Sequence, residues 1–207
     1  IKNKASCPIL AYHTYNFNKN EFDLAAISAK LSGLKTLHGD KPSIMTEYSG
    51  MPWFNTARFI QLNLTQANSS GYIYWMLVWG DVNTKDEAMI YINSSGNYEI
   101  SPVYYVLKHF AKFISKDYVR INTTSSIPTV EVSGFIHPNG SQMTIIAINT
   151  DTRTFDYKLN ILDEQASSMK AYQTVEGDYF KDLGTLSPDS PVSLAGNSIT
   201  TFVVDII

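Results

Sequence analysis

Apolar positions along this chain repeat in two different ways. Up to Ile114, short apolar runs alternate with stretches in which hydrophobic residues recur every three or four positions; beyond it the spacing falls to two. The first half therefore predicts alternating strands and helices. Ile9 to Tyr12 (ILAY) reads as a strand that ends in the polar His13, Thr14 and Tyr15. Glu21 to Leu37 reads as a helix with Leu24, Ile27, Leu31 and Leu34 inward. After a Gly39-Asp40 turn comes KPSIMTEY (Lys41–Tyr48), whose Ser43 to Glu47 predict a second strand, and then a helix from Phe54 to Ala67 with Ala57, Ile60 and Leu64 inward. Asn68 to Gly71 breaks that helix. Tyr72 to Trp79 (YIYWMLVW) is apolar on both faces and predicts a buried parallel strand with Trp75 in the core. A polar loop follows from Gly80 to Gly96, after which Ser101 is expected to cap, and Pro102 to open, a third helix striped by Val103, Leu107, Phe110 and Ile114.

In the second half, Thr129–Ile136, Met143–Asn149, Thr154–Leu159, Met169–Thr174 and Ile199–Val204 predict short strands. Pro138-Asn139-Gly140 and Ser187-Pro188-Asp189 supply turn chemistry between them. Such strands imply an antiparallel β-sandwich. The expected architecture is thus α/β plus β, with three βα units in residues 1–118, a sandwich in 119–207 and a boundary near Asp117 to Ser126. Parallel strands with crossover helices present their C-terminal ends on one face, which in a (β/α)8 barrel holds the active site. A closed barrel takes about 250 residues, so three units form only part of one. Either the chain is the C-terminal part of a longer protein, or its open strand edges are covered by a partner or a second copy.

Composition narrows the chemistry. Of 207 residues, 44% are hydrophobic and 17% charged, enough to build a core. The net charge of -3, with no basic run, argues against nucleic acid and against an anionic membrane surface. The longest apolar runs fall short of the roughly 20 residues that a membrane span needs. Cys7 is the single cysteine, which excludes an intrachain disulfide and any CxxC metal site. No cofactor or metal is implied, because no cluster has ligand spacing and no Gly-rich loop is placed to cradle phosphate. The chain starts at Ile1 without a visible signal sequence, and the expectation is that an upstream segment has been removed. Thirteen tyrosines and three tryptophans suit stacking on sugar rings as well as core packing. Asn63, Asn68, Asn93, Asn122 and Asn139 each begin an N-x-S/T sequon, in keeping with an extracellular setting.

The candidate chemistry centres on Glu47, a carboxylate at the predicted end of a parallel strand. His13 and Tyr15 follow the preceding strand; they either hydrogen-bond a sugar or orient Glu47, or else are a satisfied loop histidine and a packed tyrosine. Tyr48 and Trp53 are candidate stacking platforms, as is Trp79 at the end of the third strand.

The MTE at Met45–Glu47, the helix YYVLKHFAKFI with YVRI, and the closing ITTFVV resemble the C-terminal half of family 30 glycoside hydrolases, above all their xylanase branch. The resemblance covers nearly the whole chain. It implies barrel strands six to eight followed by a side domain, a secreted retaining β-1,4-xylanase, and Glu47 as the nucleophile. The family's acid/base glutamate lies at the end of the fourth strand, before this sequence begins, so the isolated chain is expected to be inactive. The resemblance further implies xylan as substrate, and the missing N-terminal half or self-association as partner. Glucuronoxylan-specific members carry an arginine in the loop where this chain has Asp81. No Arg or Lys occurs between Trp75 and Asn83, so a neutral xylan is the better expectation.

Overall fold

The computed structural model describes residues 8–15, 17, 21–79 and 87–207. These form a mixed α/β structure that divides into two compact units, Ile1–Tyr104 and Tyr105–Ile207. The division falls inside the third helix rather than at the change of hydrophobic period.

The first unit begins with β1 (Leu10–His13), α1 (Leu24–His38), β2 (Ser43–Tyr48), α2 (Trp53–Thr65) and β3 (Gly71–Tyr74). The three strands pair in parallel in the order β1-β2-β3, so β2 is central. Asp23 starts α1, its side chain accepting the Ala26 N–H at 2.9 Å. Gly39, at φ 59°, ends it, with its N–H on the Lys35 carbonyl at 2.9 Å. Ile27 and Leu31 from α1 pack with Met45, Tyr48, Met51, Phe59 and Leu62 in one apolar cluster. Leu24 faces solvent instead of the core, because it opens the helix.

The expected strand Tyr72–Trp79 is overturned. Only its first part joins the parallel sheet, and the backbone bonds of the remainder go elsewhere. Met76 N–H donates to the Glu87 carbonyl at 2.6 Å, while Met89 and Ile90 donate to the carbonyls of Met76 and Leu77 at 3.0 and 2.9 Å. A returning segment has replaced a continued ladder. β4 (Val78–Trp79) then pairs in parallel with β5 (Ile90–Ile92), and β5 pairs antiparallel with β6 (Tyr98–Ile100). The expected loop Gly80–Gly96 therefore contains a strand. Trp75 is 47% exposed and is not a core residue; its peptide bond to Met76 is cis.

α3 runs from Pro102 to Ala111; it opens at Pro102 as expected but ends before Ile114, which therefore lies outside the helix. Ser101 contributes its backbone rather than a side-chain cap: its carbonyl accepts Tyr104 N–H at 3.0 Å, and its buried hydroxyl has no partner among the described residues.

The second unit is built on a six-stranded antiparallel sheet in the order β12-β11-β14-β9-β8-β7. These strands are β7 (Val119–Ile121), β8 (Val130–Ile136), β9 (Gln142–Asn149), β11 (Ala166–Val175), β12 (Asp178–Leu186) and β14 (Ser198–Ile206). A two-stranded ribbon, β10 (Phe155–Tyr157) with β13 (Val192–Leu194), contributes Tyr157, Val192 and Leu194 to a cluster that includes Met143, Ile145, Met169 and Phe202 from the large sheet. The central strands β9 and β14 are buried along almost their whole length, with Thr144, Asn149, Ser198, Thr200 and Thr201 buried among their apolar residues. β7, β12 and β13 were not foreseen, since short or edge strands carry weak alternation.

Candidate active site at the end of the parallel sheet

Glu47 sits where the sequence placed it, near the C-terminal end of the central strand β2, and is half-buried. How it gets there was not legible. Strict alternation would put Glu47 on the face of Ser43 and Met45. Instead Met45 pairs with Tyr12 while Glu47 pairs with His13, and Met45 pairs with Tyr72 while Tyr48 pairs with Tyr74. β2 thus carries one extra residue against both neighbours, a bulge at Thr46 and Glu47. In consequence Met45 and Tyr48, three apart, share the apolar cluster under the helices, and Glu47 stays out of it.

The strand ends bring three of the expected residues together. His13 is the register neighbour of Glu47 on β1, and the Tyr15 ring stands edge-on to His13 at 6.2 Å between centroids. The Tyr15 hydroxyl donates a hydrogen bond to the Glu47 carboxylate and accepts one from Ser49. Partial burial of the ring, and then Glu47 itself, push the Tyr15 phenol up to about 12.

Tyr48 and Trp53 are placed differently from a sugar platform. Tyr48 is 1% exposed and lies between Tyr15 and Phe59, with ring centroids at 5.3 and 4.7 Å. Its buried hydroxyl has no partner among the described residues, and burial pushes its phenol up to about 12. Trp53 opens α2, is 8% exposed, and packs edge-on against Phe54 at 5.4 Å. Both are buried: Tyr48 belongs to the apolar cluster of the first unit, and Trp53 packs beside Phe54. Trp79 is 49% exposed and open to contact. Asp81 lies outside the described residues.

Sequence reasoning missed Glu87. It sits in the expected loop, with no motif to mark it, and only the return of residues 87–90 to Met76 and Leu77 brings it to the site. Its negative charge is the least of the causes that raise the Tyr15 phenol, after burial and Glu47.

Of the sequons, Asn63 is buried in α2, accepting from the Tyr12 hydroxyl at 2.8 Å and donating to the Phe59 carbonyl at 2.8 Å, so it is a structural residue. Among the described residues no three His, Cys, Asp or Glu side chains are grouped as a metal site would require. Nor is any helix among them long and apolar enough to cross a membrane.

No protein-family model and no curated protein matches this sequence. Solved structures do. A glycoside hydrolase family 30 subfamily 8 xylanase from Clostridium acetobutylicum matches with a TM-score of 0.72 and 25% identity, over 95% of this chain and 48% of that one. A family 30 endoxylanase from Clostridium papyrosolvens C71 gives 0.70 and 28%, with the same coverage. A conserved exported protein from Bacteroides fragilis matches with a TM-score of 0.79 at 18% identity, a likeness of fold alone. The chain spans about half the length of these proteins.

Proposed function

We infer that this chain, which resembles the C-terminal part of a family 30 glycoside hydrolase of the xylanase branch, is the nucleophile-bearing part of a secreted retaining enzyme that cleaves β-1,4-xylan. The observation that carries this reading is Glu47, projected from a bulge at the end of the central parallel strand, with its carboxylate held by the Tyr15 hydroxyl. Residues 1–118 are read as the last three units of a (β/α)8 barrel and 119–207 as its β-sandwich side domain.

The chemistry follows from the geometry such a reaction needs. Retaining hydrolysis uses two carboxyl groups about 5 to 5.5 Å apart. Glu47 attacks the anomeric carbon and forms a glycosyl ester as the glycosidic C–O bond breaks. The second carboxyl protonates the departing oxygen, then deprotonates the water that cleaves the ester. Tyr15 orients Glu47, and His13 and Trp79 line the approach of the sugar. The second carboxyl is proposed to lie outside this chain. Since general acid/base assistance contributes about 10² to 10⁴-fold, the chain alone should turn over at most a trace of polysaccharide.

Two other readings remain distinct from this one. A chain that keeps the exposed Trp79 and the polar strand ends could bind polysaccharide without cutting it, and the same nucleophile setting would serve β-glucosidic or β-fucosidic bonds. The test is reducing-sugar release from glucuronoxylan and arabinoxylan by this chain, with Glu47→Gln beside it. No release, together with retained xylan binding, is the expected result. Release that disappears in Glu47→Gln would mean that the second carboxyl is supplied by this chain.

A further inference from the structure

The second unit holds a cavity of about 820 Å³ on one side of its six-stranded sheet. It arises from a mismatch between layers. Strands lie about 4.8 Å apart, so the two-stranded ribbon of β10 and β13 can roof only about a third of such a sheet. That ribbon is anchored over β14, where Tyr157 stacks on Phe202 at 6.4 Å between ring centroids. Beyond Tyr157 the chain runs through residues 158 to 163 without joining a strand, and the space between this segment and β7, β8 and β9 is the cavity. Gly134 pairs with both Ile121 and Ile145, and Ile136 with Met143, which puts Ile121, Val132, Met143 and Ile145 on one face of the sheet. These four form an apolar floor, faced by half-buried Leu159 and Ile161. The rim is polar and exposed: Asn122 and Thr124 on one bank, Asp156, Asn160 and Asp163 on the other.

We propose that this cavity takes up an uncharged single-chain amphiphile from solution, with its alkyl part on the apolar floor and its hydroxyl-bearing head at the rim. The volume lies in the range of about 300 to 1,000 Å³ that small-molecule sites occupy, and an apolar floor under a few polar groups is their usual chemistry. A sugar ring alone meets no platform here. The floor is aliphatic apart from the Met143 thioether, and the aromatic ring beside it, Tyr157, is 8% exposed and already stacked on Phe202. The rim also disfavours an anionic head. Asp156 and Asp163 carry negative charge there, while the Lys158 ammonium is drawn to Asp189 at 3.3 Å. Hydroxyl groups suit it better, because carboxylates accept from them and the Asn122 and Asn160 amides both donate and accept. Every residue of the cavity belongs to the second unit, so binding there does not depend on Glu47.

The test is NMR titration of the whole chain, ¹³C-labelled at its methionine methyls, with octyl β-glucoside below its micelle concentration. The Met143 signal, assigned with Met143→Leu, should shift, whereas that of Met169, in the same apolar cluster but not on the cavity wall, should stay in place. Hexyl β-glucoside should bind on the order of tenfold more weakly, since each buried methylene contributes about fourfold. Glucose should leave Met143 unmoved. Octanoate should bind about threefold more weakly than the octyl glucoside, a gap that closes when Asp156→Asn and Asp163→Asn are combined. Val132→Phe fills the floor, and Thr124→Trp obstructs the rim at an exposed position without touching the core; each should weaken octyl β-glucoside about tenfold or more. An unmoved Met143, equal shifts at Met143 and Met169, indifference to chain length, octanoate bound as tightly as the glucoside, or binding that survives both Val132→Phe and Thr124→Trp would each overturn this site. None of these outcomes bears on the reading of Glu47.

Discussion

The Tyr15 to Glu47 contact makes a prediction at the level of one hydroxyl. Because the Glu47 charge opposes formation of a phenolate beside it, Glu47→Gln should move the Tyr15 pKa down from about 12 towards the usual value near 10. A ¹³C titration of labelled tyrosine, assigned with Tyr15→Phe, reads this directly; an unmoved Tyr15 resonance would mean that the two groups do not interact.

A second residue-scale case is His109, fully buried on α3. Its Nδ1 lies 2.8 Å from the Thr201 hydroxyl and its Nε2 2.8 Å from that of Thr174. Thr201 donates onward to the His109 carbonyl at 3.3 Å, so it accepts from Nδ1–H. Thr174 accepts Phe180 N–H at 2.7 Å and donates to Nε2. Every donor and acceptor is used with a neutral imidazole, and a second ring proton would face a hydroxyl already donating. Burial, with the charge of Lys108, lowers this histidine to about 3. The folded pKa is below the unfolded one, so the stabilisation is present above pH 6.5 and drains away as pH falls from 6.5 towards 3. At about 1.4 kcal/mol per unit, the loss by pH 4 is on the order of 3 kcal/mol. Urea melts at pH 7 and pH 4 should show it, and His109→Leu should flatten the pH slope.

At the scale of elements, the second unit depends on how its ribbon and sheet are joined. Asn149, at the end of β9, donates to the carbonyls of Arg153, Leu194 and Ala195 at 2.8, 3.2 and 2.9 Å, and accepts Asp151 N–H at 3.0 Å. Next to this junction Gly196 lies against the Thr152 backbone so tightly that an added Cβ would sit 2.0 Å from the carbonyl oxygen. A backbone atom cannot swing aside as a side chain can. Gly196→Ala is expected to destabilise by about 3 kcal/mol, measured by urea unfolding. Leu194→Ala, which leaves a hole in the cluster between ribbon and sheet, should cost about 2 to 5 kcal/mol.

At the scale of the whole molecule, the first unit leaves a three-stranded parallel sheet whose outer strands pair with no further strand among the described residues. Ile9 and Ile73 are each at least half exposed, at 50% and 54%. Unpaired strand edges are templates for pairing with another chain, and we propose that a partner, the rest of a barrel or a second copy, covers these. Sedimentation velocity of this chain should show self-association at micromolar concentration, reduced by Ile73→Lys. A single monomeric boundary at all concentrations would count against it.

The alternating pattern, the position of Glu47 near a strand end and the parallel pairing of three strands were legible because each shows in local spacing: helical stripes of three and four, apolar strands between turns, and a carboxylate where an apolar run ends. The antiparallel sheet of the second unit was legible in its long central strands for the same reason. The structure alone decided what depends on pairing between distant segments. The bulge at Thr46 and Glu47 exists only relative to β1 and β3, and it reverses the face that alternation assigns to Glu47. The run Tyr72–Trp79 divides because residues 87–90 take over its backbone bonds. Tyr48 and Trp53 are core residues because Phe59 and Phe54 occupy the space beside them. A single sequence records which side chains prefer burial; which backbone groups satisfy one another across tens of residues is settled only when the segments meet.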